Sequence, residues 1–374
     1  MNIGYDAKRA FLNNTGLGNY SRWLIKAMSA FYPDNRYGLF TPKTGNGEHA
    51  GQLEKLKNAY TFVPRGKFSP LWRTKGIVTD LQKNGVELYH GLSHELPLGI
   101  RKSGIKSVLT VHDLIFLRFP QYFKLIDRLI YKAKLNYACK AADKIIAISQ
   151  RTRKDLIELL GVDPNKIEVI YQGCNPAFTL YQSETHRAHI KKTYKLPKRY
   201  LLTVGTIEER KNLMLLVKAL TLTKCNMPLL VVGKPTPYAD EVKRFVEANG
   251  LQKRVIFLHQ VGFDDLPALY QLSTVFIYPS RYEGFGIPIL EAINSGVPVI
   301  AATGSCLEEA GGAGSIYVDP DNEQELAKKI DRVWRDTALR QRMIDQGFEY
   351  ARNFKDEVLA AQYMQVYQNT LQHA

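Results

Sequence analysis

Residues 274–302 read TVFIYPSRYEGFGIPILEAINSGVPVIAA, and the fold class can be predicted from these residues. Its two short apolar runs, TVFIYPS (274–280) and PVIAA (298–302), are typical of strands that are buried on both faces of a sheet. The segment between them, GIPILEAINSG, predicts a helix with Pro288 in its first turn. A strand, a helix and a second strand in this order predict a parallel βαβ unit. Ligands of such units bind beyond the carboxyl ends of the strands.

The same alternation extends along the rest of the chain. Further buried strands are predicted at VELYH (86–90), KSVLTVHD (106–113), KIIAIS (144–149), YLLTVG (200–205), PLLVVG (228–233) and VIFLHQ (255–260). Helix-like segments separate them, including one or more helices over residues 118–142, so we predict an α/β protein of two doubly wound domains. The polar stretch after residue 178 predicts domains 1–178 and 179–355. A terminal helix over 356–374 is expected to pack back on the first domain.

Composition limits the class of protein. The chain has 374 residues, of which 45% are hydrophobic and 23% charged, which excludes a disordered or fibrous protein. Four cysteines without CxxC spacing exclude a disulfide scaffold and a cysteine-rich zinc site, and they suit a reducing cytoplasm. No apolar run of 18 residues and no apolar N-terminal segment occur. We therefore predict a cytoplasmic protein that associates with the inner face of the cytoplasmic membrane only peripherally, if at all.

Positive charge is concentrated in the first half. Residues 1–178 contain 27 Lys+Arg and 14 Asp+Glu, whereas residues 179–374 contain 24 and 22. This asymmetry indicates an anionic partner, with a merely soluble basic surface as the alternative. The segments 64–76 and 118–144 mix basic and aromatic residues, which suits an anionic membrane surface or a polyisoprenyl-diphosphate-linked acceptor. Both segments are explained equally well as helices of the protein interior, in which the aliphatic part of each lysine packs on apolar surface and the ammonium group stays in water.

The opening stretch also carries two glutamates, Glu283 and Glu291, with seven residues between them. Gly284 and Gly286 allow the backbone to approach a ligand closely. The start of the following helix offers N–H groups and a positive dipole end, which favour phosphate. Glu283 at the strand end can accept hydrogen bonds from sugar hydroxyls, and Glu291, about two turns on, from a ribose diol. The pattern therefore fits a sugar nucleotide.

Three segments of the chain resemble those of a known family. EGFGIPILEAINSGVPVIA (283–301) resembles the E-x7-E motif of retaining glycosyltransferases of family 4, which have the GT-B fold. NNTGLGNYSRWLIKAM (13–28) resembles the glycine loop that follows the first strand of that family, and VGTIEERKNLMLLVKAL (204–220) resembles its phosphate-binding segment. The resemblance covers almost the whole chain. It implies two Rossmann-like domains facing a cleft, with the donor on the second domain and the acceptor on the first.

The resemblance also implies roles for individual residues. Arg210 and Lys211 would neutralise the donor diphosphate and stabilise the charge that develops on the leaving group. Glu283 would hold hydroxyls of the transferring sugar and Glu291 the ribose, while His112, at a strand end, would act beside the reactive sugar carbon. Further donor contacts are implied for Gly16, Gly18, Gly205, Val261, Gly284, Phe285, Gly286 and Ile287.

One position departs from the family pattern. Many members have an arginine directly after the glycine that ends the strand of the phosphate-binding segment, and here that residue is Thr206. The donor charge must then be met by Arg210, Lys211 or the first domain. The GTxExRKN form of this segment resembles the mannosyltransferase-like branch that makes bacterial surface polysaccharides, which favours GDP-mannose over a UDP-sugar.

Two further clusters contain side chains that can bind metal ions. His90 and His94 have i,i+4 spacing, but zinc binding needs a helix and a third ligand, and the nearby Gly91 and Pro97 favour a loop. We therefore predict that these histidines line the acceptor pocket or have a structural role. The sequence Asp-Pro-Asp at 319–321 is explained as the start of a helix. No metal and no other cofactor are predicted.

The resemblance thus implies a hexosyltransferase that retains the anomeric configuration and acts on a glycan or lipid-linked acceptor. We predict that it needs no metal and binds no nucleic acid. Two alternatives stay open. One is a phosphorylase or synthase of a soluble disaccharide, which the same fold supports. The other is a non-catalytic basic protein that binds nucleic acid or membrane, although helix-turn-helix, zinc-finger and RNA-recognition motifs are absent.

Overall fold

The computed structural model describes residues 1–45, 48–64 and 71–372. Much of the predicted basic segment 64–76, including Phe68, therefore lies outside the described residues. The chain divides into two compact units. Unit 1 consists of Met1–Gly173 and Phe354–Ala374, and unit 2 of Cys174–Asn353.

Unit 1 is built on a seven-stranded parallel sheet with the strand order β3-β2-β1-β4-β5-β6-β7. Its strands are β1 (Asn2–Asp6), β2 (Arg36–Phe40), β3 (Ala59–Phe62), β4 (Leu88–Gly91), β5 (Lys106–Val111), β6 (Lys144–Ala147) and β7 (Ile167–Val169). Parallel neighbours require crossover connections, and helices supply most of them. They are α1 (Lys8–Leu12), α2 (Gly16–Phe31), α3 (Glu48–Glu54), α4 (Ile77–Lys83), α5 (Ile115–Arg118), α6 (Leu125–Ala141) and α7 (Gln150–Leu160), with a π-helical turn at Trp72–Gly76 before α4.

Unit 2 repeats this plan with a six-stranded parallel sheet of order β10-β9-β8-β11-β12-β13. Its strands are β8 (Leu201–Val204), β9 (Leu229–Val232), β10 (Val255–Leu258), β11 (Val275–Tyr278), β12 (Val299–Ala302) and β13 (Ile316–Val318). Its helices are α8 (Glu184–Thr193), α9 (Leu213–Leu222), α10 (Tyr238–Ala248), α11 (Leu266–Gln271), α12 (Ile287–Asn294), α13 (Leu307–Gly311), α14 (Glu323–Arg335) and α15 (Thr337–Ala351). One core combines Leu216 of α9, Ile277 of β11 and Ile330 of α14, all fully buried.

The predicted doubly wound α/β class is confirmed, and all eight predicted strands are present. Apart from β13, and from β1, which only the family resemblance implied, the sequence analysis missed β2, β3 and β7, which lie toward the edges of the unit 1 sheet. They are short and lack a continuous apolar run: β2 contains Gly38 and β7 has only three residues. Among the described residues, no helix is both long enough and apolar enough to cross a membrane.

The division between the units lies after Gly173 rather than after Phe178. The short 3-10 turn Pro176–Phe178 belongs to unit 2 because the ring of Phe178 is fully buried there. Its centroid lies 5.9 Å from that of Phe263 and 5.5 Å from that of Tyr270, both in edge-to-face geometry. The boundary was predicted after residue 178 because the polar stretch begins only after the buried Phe178.

The C-terminal helix α16 (Asp356–Gln372) packs against α2 and β5 and belongs to unit 1. Trp23 Nε1 donates to Asp356 Oδ1 at 2.6 Å, and the hydroxyls of Tyr20 and Tyr363 bond at 2.8 Å. The Tyr367 hydroxyl lies 2.7 Å from Nδ1 of the fully buried His90. Buried polar groups of this kind require partners, so α16 completes the core of unit 1.

The substitution Tyr367→Phe tests this role of α16. It removes one hydroxyl and leaves His90 Nδ1 buried without its partner, so we expect the free energy of unfolding to fall by about 1–3 kcal/mol. Urea unfolding followed by circular dichroism measures the change. Gln368→Ala, at an exposed position of the same helix, is the control and should stay within about 0.5 kcal/mol of the parent. Equal stability of Tyr367→Phe and parent would contradict the assigned role.

Candidate functional site

The loop that carries the glutamate motif is fixed by its backbone. Gly286 is the N-cap of α12 and has φ +115°, in the left-handed region. A Cβ atom there would lie 3.0 Å from Cδ2 of Leu307, so glycine is required for conformation and for space. The Cys306 thiol donates to the carbonyl oxygens of Glu283 at 3.0 Å and Phe285 at 3.1 Å. The loop is thereby held against the start of α13.

The Glu283 carboxylate has four partners. Its Oε1 accepts hydrogen bonds from the hydroxyls of Tyr278 and Ser280, each at 2.8 Å, and lies 3.2 Å from Lys211 Nζ. Its Oε2 lies 3.0 Å from Arg210 Nη1. Burial alone would raise the pKa of Glu283, but the charges of Lys211 and Arg210 and the two hydroxyl bonds outweigh it and lower the pKa to about 2. The carboxylate is therefore ionised throughout the physiological range.

The Arg210 side chain contacts groups in the loops after β8 and β11. Its Nη2 lies 2.5 Å from Glu208 Oε1, and its Nη1 donates to the Tyr282 carbonyl oxygen besides facing Glu283. Burial lowers the pKa of Arg210, but the carboxylates of Glu283 and Glu208 reverse this and raise it above its usual value. Only 12% of the side chain is exposed. Arg210 therefore joins the segment after β8 to the segment after β11.

Lys211 is held less completely. Its ammonium donates to the Tyr278 hydroxyl at 2.7 Å and pairs with Glu283, whereas an ammonium has three donors. The side chain passes over Gly205, where φ is +145° and a Cβ would lie 3.1 Å from Nζ. A cavity of about 20 Å³ beside it is lined by residues 203–207, Lys211 and Tyr278. That space is far smaller than the ~300–1,000 Å³ of small-molecule pockets, so it does not enclose a nucleotide.

Glu291 has a different environment from Glu283. It is half-buried in α12, and its Oε2 accepts a hydrogen bond from Tyr270 at 2.9 Å. Burial raises the pKa of Glu291 to about 7, because the Tyr270 bond and the charge of Lys211 offset only part of the cost. Lys211 thus acts electrostatically on both glutamates of the motif. Near neutral pH, Glu291 is present in both its protonated and ionised forms.

The remaining donor residues predicted on unit 2 are Gly284, Ile287 and Val261. Gly284 and Ile287 flank the Phe285–Gly286 turn and are half-buried. Val261 is also half-buried, in the loop after β10, and is followed by Phe263, which is 41% exposed. The structure therefore places these residues in the loops after β10 and β11 of the same sheet.

The two glycines predicted on unit 1 have different surroundings. A Cβ at Gly18 would lie 1.8 Å from the carbonyl oxygen of Asn13, so this position must be glycine for structural reasons. Asn13 Oδ1 also accepts from the N–H groups of Gly18 and Thr15, which closes the turn. A Cβ at Gly16, the first residue of α2, would meet no atom within 4 Å. The backbone at Gly16 is exposed and open to a ligand.

Both ring nitrogens of His112 are engaged within unit 1. Nε2 lies 2.9 Å from the carbonyl oxygen of Leu92, which can only accept, so Nε2 donates. Nδ1 then accepts from Nε2 of Gln172 at 3.1 Å. Burial, with the charge of His94, lowers the pKa of His112 to about 3, and the ring is neutral. A bond from this ring to a sugar, as predicted, would require one of these partners to be released.

His90 does not fit the predicted acceptor contact. It is fully buried, and its nitrogens meet Tyr367 at 2.7 Å and Thr110 at 2.8 Å. Of the two roles that the sequence left open, the structural one applies. His94 is half-buried, has φ +63°, and its Nε2 accepts from the His112 backbone N–H at 2.8 Å. His94 therefore supports the backbone of His112, and its acceptor role stays a prediction.

The Asp-Pro-Asp sequence lies at a helix start, as predicted, but the cap is the next residue. Asn322 caps α14 by accepting from the Glu325 N–H at 2.9 Å, and Asp321 pairs with Arg281 at 2.7 Å. Within residues 1–45, 48–64 and 71–372, no group of three His, Cys, Asp or Glu side chains is arranged to hold a metal ion. Metal independence of the reaction stays a prediction.

Sequence reasoning missed the side chains that support the motif. Tyr278 and Ser280 hold Glu283. Their spacing of two within the predicted strand 274–280 places them on one face, which was a usable signal. Tyr270, which binds Glu291, and Cys306, which binds the loop carbonyls, come from segments without a local pattern. Gln172, the partner of His112, is likewise distant in sequence.

Comparison with known proteins gives consistent matches over both halves. Residues 16–178 match the family model described as Glycosyltransferase Family 4, and residues 185–350 match the model described as Glycosyl transferases group 1. O-antigen chain mannosyltransferase B of Escherichia coli is 29% identical, with 94% of this chain and 96% of that protein covered. O-antigen chain mannosyltransferase RfbU of Salmonella typhimurium is also 29% identical, covering 76% of this chain and 79% of that protein.

Among solved structures, a glycosyltransferase from Rickettsia africae matches with a TM-score of 0.78. The match covers 100% of this chain and 99% of that one at 18% identity. At this identity the likeness concerns the fold, and it extends over both units.

The unusual pKa of Glu291 predicts a pH-dependent stability. Glu291 titrates near 4.5 in an unfolded chain and near 7 in unit 2, so the folded state binds its proton more tightly. This contribution to stability is full below pH 4.5 and is lost as the pH rises through 7. Glu291→Gln removes the titration. Relative to the parent, the variant should therefore gain stability on the order of 3 kcal/mol between pH 4.5 and a pH above 7.

Urea unfolding at a series of pH values measures this difference. Glu247→Gln, at an exposed position of the same unit, serves as the matched control and should follow the parent. A constant difference between Glu291→Gln and parent across the range would show that Glu291 does not hold a proton in the folded unit.

Proposed function

This chain belongs to glycosyltransferase family 4, and we propose that it transfers a mannosyl residue from GDP-mannose to a glycan or lipid-linked acceptor, with retention of anomeric configuration. Two observations support mannose. The GTxExRKN segment resembles that of mannosyltransferases, and the full-length and partial relatives described above are both O-antigen chain mannosyltransferases. By the same likeness, the product would belong to a bacterial surface polysaccharide or glycoconjugate.

The observation that carries the proposal is the charge arrangement around Glu283. A buried, ionised carboxylate holds Lys211 at the carboxyl end of the unit 2 sheet, where ligands of doubly wound folds bind. In the proposed complex the third Lys211 N–H reaches the donor diphosphate. A cation that is already fixed there stabilises the negative charge of the departing nucleoside diphosphate, because it does not have to be reoriented during the reaction. Arg210 supports this arrangement by joining the two loops.

The start of α12 would complete the diphosphate site. Gly284, Phe285, Gly286 and Ile287 lie at the positive end of that helix, where backbone N–H groups favour phosphate oxygens. Glu291, further along α12, would accept hydrogen bonds from the ribose diol in its ionised form. Binding of a diol therefore favours deprotonation of Glu291, and donor affinity should rise with pH through about 7.

Transfer with retention would proceed by front-face substitution. The bond between the anomeric carbon and the diphosphate oxygen breaks, and the acceptor oxygen attacks from the same side through an oxocarbenium-like state. The departing diphosphate accepts the acceptor proton. The remaining lone pairs of Glu283 Oε2 would hold a sugar hydroxyl, and His112 would lie beside the reacting carbon. A covalent glycosyl adduct on the protein, detected by mass spectrometry, would contradict this path.

An anionic membrane surface is the proposed location of the acceptor. The first half of α6 exposes five large apolar side chains: Leu125, Ile126, Leu129, Ile130 and Tyr131, each between 44% and 65% exposed. Basic residues accompany them on the same helix, at Lys124, Arg128, Lys132 and Lys134. We name this surface the α6 face. An exposed apolar patch bordered by cations is complementary to the headgroup layer of an anionic bilayer.

Donor binding tests the proposed site on unit 2. Lys211→Ala removes the cation that would contact the diphosphate, and we expect the Kd for GDP-mannose to rise roughly 10–100-fold. Isothermal titration calorimetry with GDP-mannose and UDP-glucose measures the affinity and the selectivity. Lys218→Ala, at an exposed position of α9, is the charge-matched control and should bind like the parent. Unchanged affinity in Lys211→Ala would remove Lys211 from the site.

Vesicle binding tests the α6 face. The double variant Leu129→Ser, Ile130→Ser removes two exposed apolar side chains, and we expect binding to phosphatidylglycerol-containing vesicles to weaken at least roughly tenfold. Flotation assays measure the bound fraction. Leu222→Ser replaces an exposed leucine of unit 2 and is the control. Equal binding of parent protein to phosphatidylcholine vesicles, or full binding by the double variant, would contradict this surface.

A further inference from the structure

Unit 1 contains a cavity lined by none of the site residues that were predicted individually, although Arg73 and Lys134 belong to the predicted basic segments 64–76 and 118–144. Its volume is about 310 Å³, and it lies where β1 ends in Asp6 and next to Tyr89 of β4. This volume is within the range of small-molecule pockets, ~300–1,000 Å³. The carboxyl ends of parallel strands are where ligands of this class of fold bind. Both its size and its position therefore indicate a binding site.

One wall of the cavity is charged and ordered. Arg73, in the π-helical turn before α4, donates from Nε to Asp6 Oδ2 at 2.9 Å and from Nη2 to the same oxygen at 2.5 Å. Its Nη1 pairs with Glu95, whose other oxygen lies 3.6 Å from Lys134 Nζ. Asp6 is only 3% exposed and Arg73 15%, whereas Glu95 and Lys134 are more open. The cluster thus presents ordered donors and acceptors to the cavity.

Another wall of the cavity is apolar. It is formed by Leu96, Pro97 and Leu98 in the loop after β4 and by Ala133 and Tyr137 of α6. The Tyr137 hydroxyl donates to the Pro97 carbonyl oxygen at 3.0 Å and accepts from a backbone N–H of the same loop. The Leu98 N–H donates to the carbonyl oxygen of Thr74 at 2.7 Å. These bonds join α6, the loop and the π-helical turn, so the cavity is preformed.

We propose that this cavity binds a pyranose ring at the end of the acceptor glycan, and this proposal rests on the proposed function. Among the lining residues two cations face two carboxylates, so the charged wall is balanced and does not require an ionic ligand. A sugar suits both walls. Its hydroxyls bond to carboxylate oxygens and to N–H donors, while its C–H face packs on leucine, proline and tyrosine. The volume accommodates one or two rings.

The second half of α6 links this cavity to the α6 face. Ala133 and Lys134 border the cavity, whereas the exposed apolar residues precede them on the same helix. A lipid-linked acceptor could therefore have its carrier at the membrane and its sugar in the cavity. This arrangement explains why a single helix carries both an exposed apolar patch and a polar pocket wall.

Filling the cavity tests the proposal. Ala133→Trp on α6 and Leu98→Trp in the loop after β4 each introduce an indole into the space, and both positions are solvent-exposed, so the fold should tolerate them. Lys83→Trp places the same side chain on an exposed residue of α4, outside the lining and outside the α6 face, and is the matched control. The probes are α-linked mannotriose and chitobiose, titrated by calorimetry. We expect at least one probe to bind the parent and Lys83→Trp, with Kd at least roughly tenfold higher in both filling variants.

The outcomes separate this proposal from the donor site. Binding of GDP-mannose should be the same in all four proteins, because the substitutions lie in unit 1. Failure of GDP-mannose to bind the parent would count against the proposed function without altering the glycan result. The cavity proposal is overturned if neither probe binds the parent, or if the filling variants bind the probes as well as Lys83→Trp does.

Discussion

The Glu283 carboxylate is the constraint around which unit 2 is arranged. A buried ionised group is costly unless charges and hydrogen bonds compensate it, and here Lys211, Arg210, Tyr278 and Ser280 all do so. Two of these partners follow β8 and two belong to β11 or its end, so one carboxylate joins the loops after two neighbouring strands. The same contacts place a lysine where the proposed diphosphate would bind. Stability and the candidate site thus depend on one set of interactions.

Unit 1 shows a different use of buried polar groups. Tyr20, His90, Thr110, Tyr363 and Tyr367 form a connected hydrogen-bond network beneath α16. Neutral donors and acceptors satisfy one another there, and burial lowers the pKa of His90 to about 3. Charged groups of unit 1 lie outside this network, among them the ordered cluster of Asp6 and Arg73 and the basic residues of α6. The neutral core suits a supporting role, and the charged surfaces suit recognition of an acceptor and a membrane.

Much of the fold followed from local patterns, because parallel strands buried on both faces are continuous apolar runs. TVFIYPS and PVIAA are examples, whereas the three-residue β7 gave no such signal. The GT-B class expected from the resemblance is confirmed by matches over the whole chain. The residues Glu283, Arg210 and Lys211 are brought together as expected. Arg210, however, contacts the protein's own Glu208, Tyr282 and Glu283. Partners such as Tyr270 and Gln172, and the pocket of Asp6, Arg73 and Glu95, depend on long-range contacts that no local spacing reveals.

The central claim is that the Glu283–Lys211 arrangement serves retaining transfer from a sugar nucleotide. Proton NMR of the anomeric region tests it directly, even before the natural acceptor is identified, because slow hydrolysis of GDP-α-mannose uses water as the acceptor. With retention, α-mannose forms first and mutarotation produces the β-anomer only later. First formation of β-mannose would contradict retention. Failure to turn over GDP-mannose or any UDP-sugar would contradict the proposed activity itself.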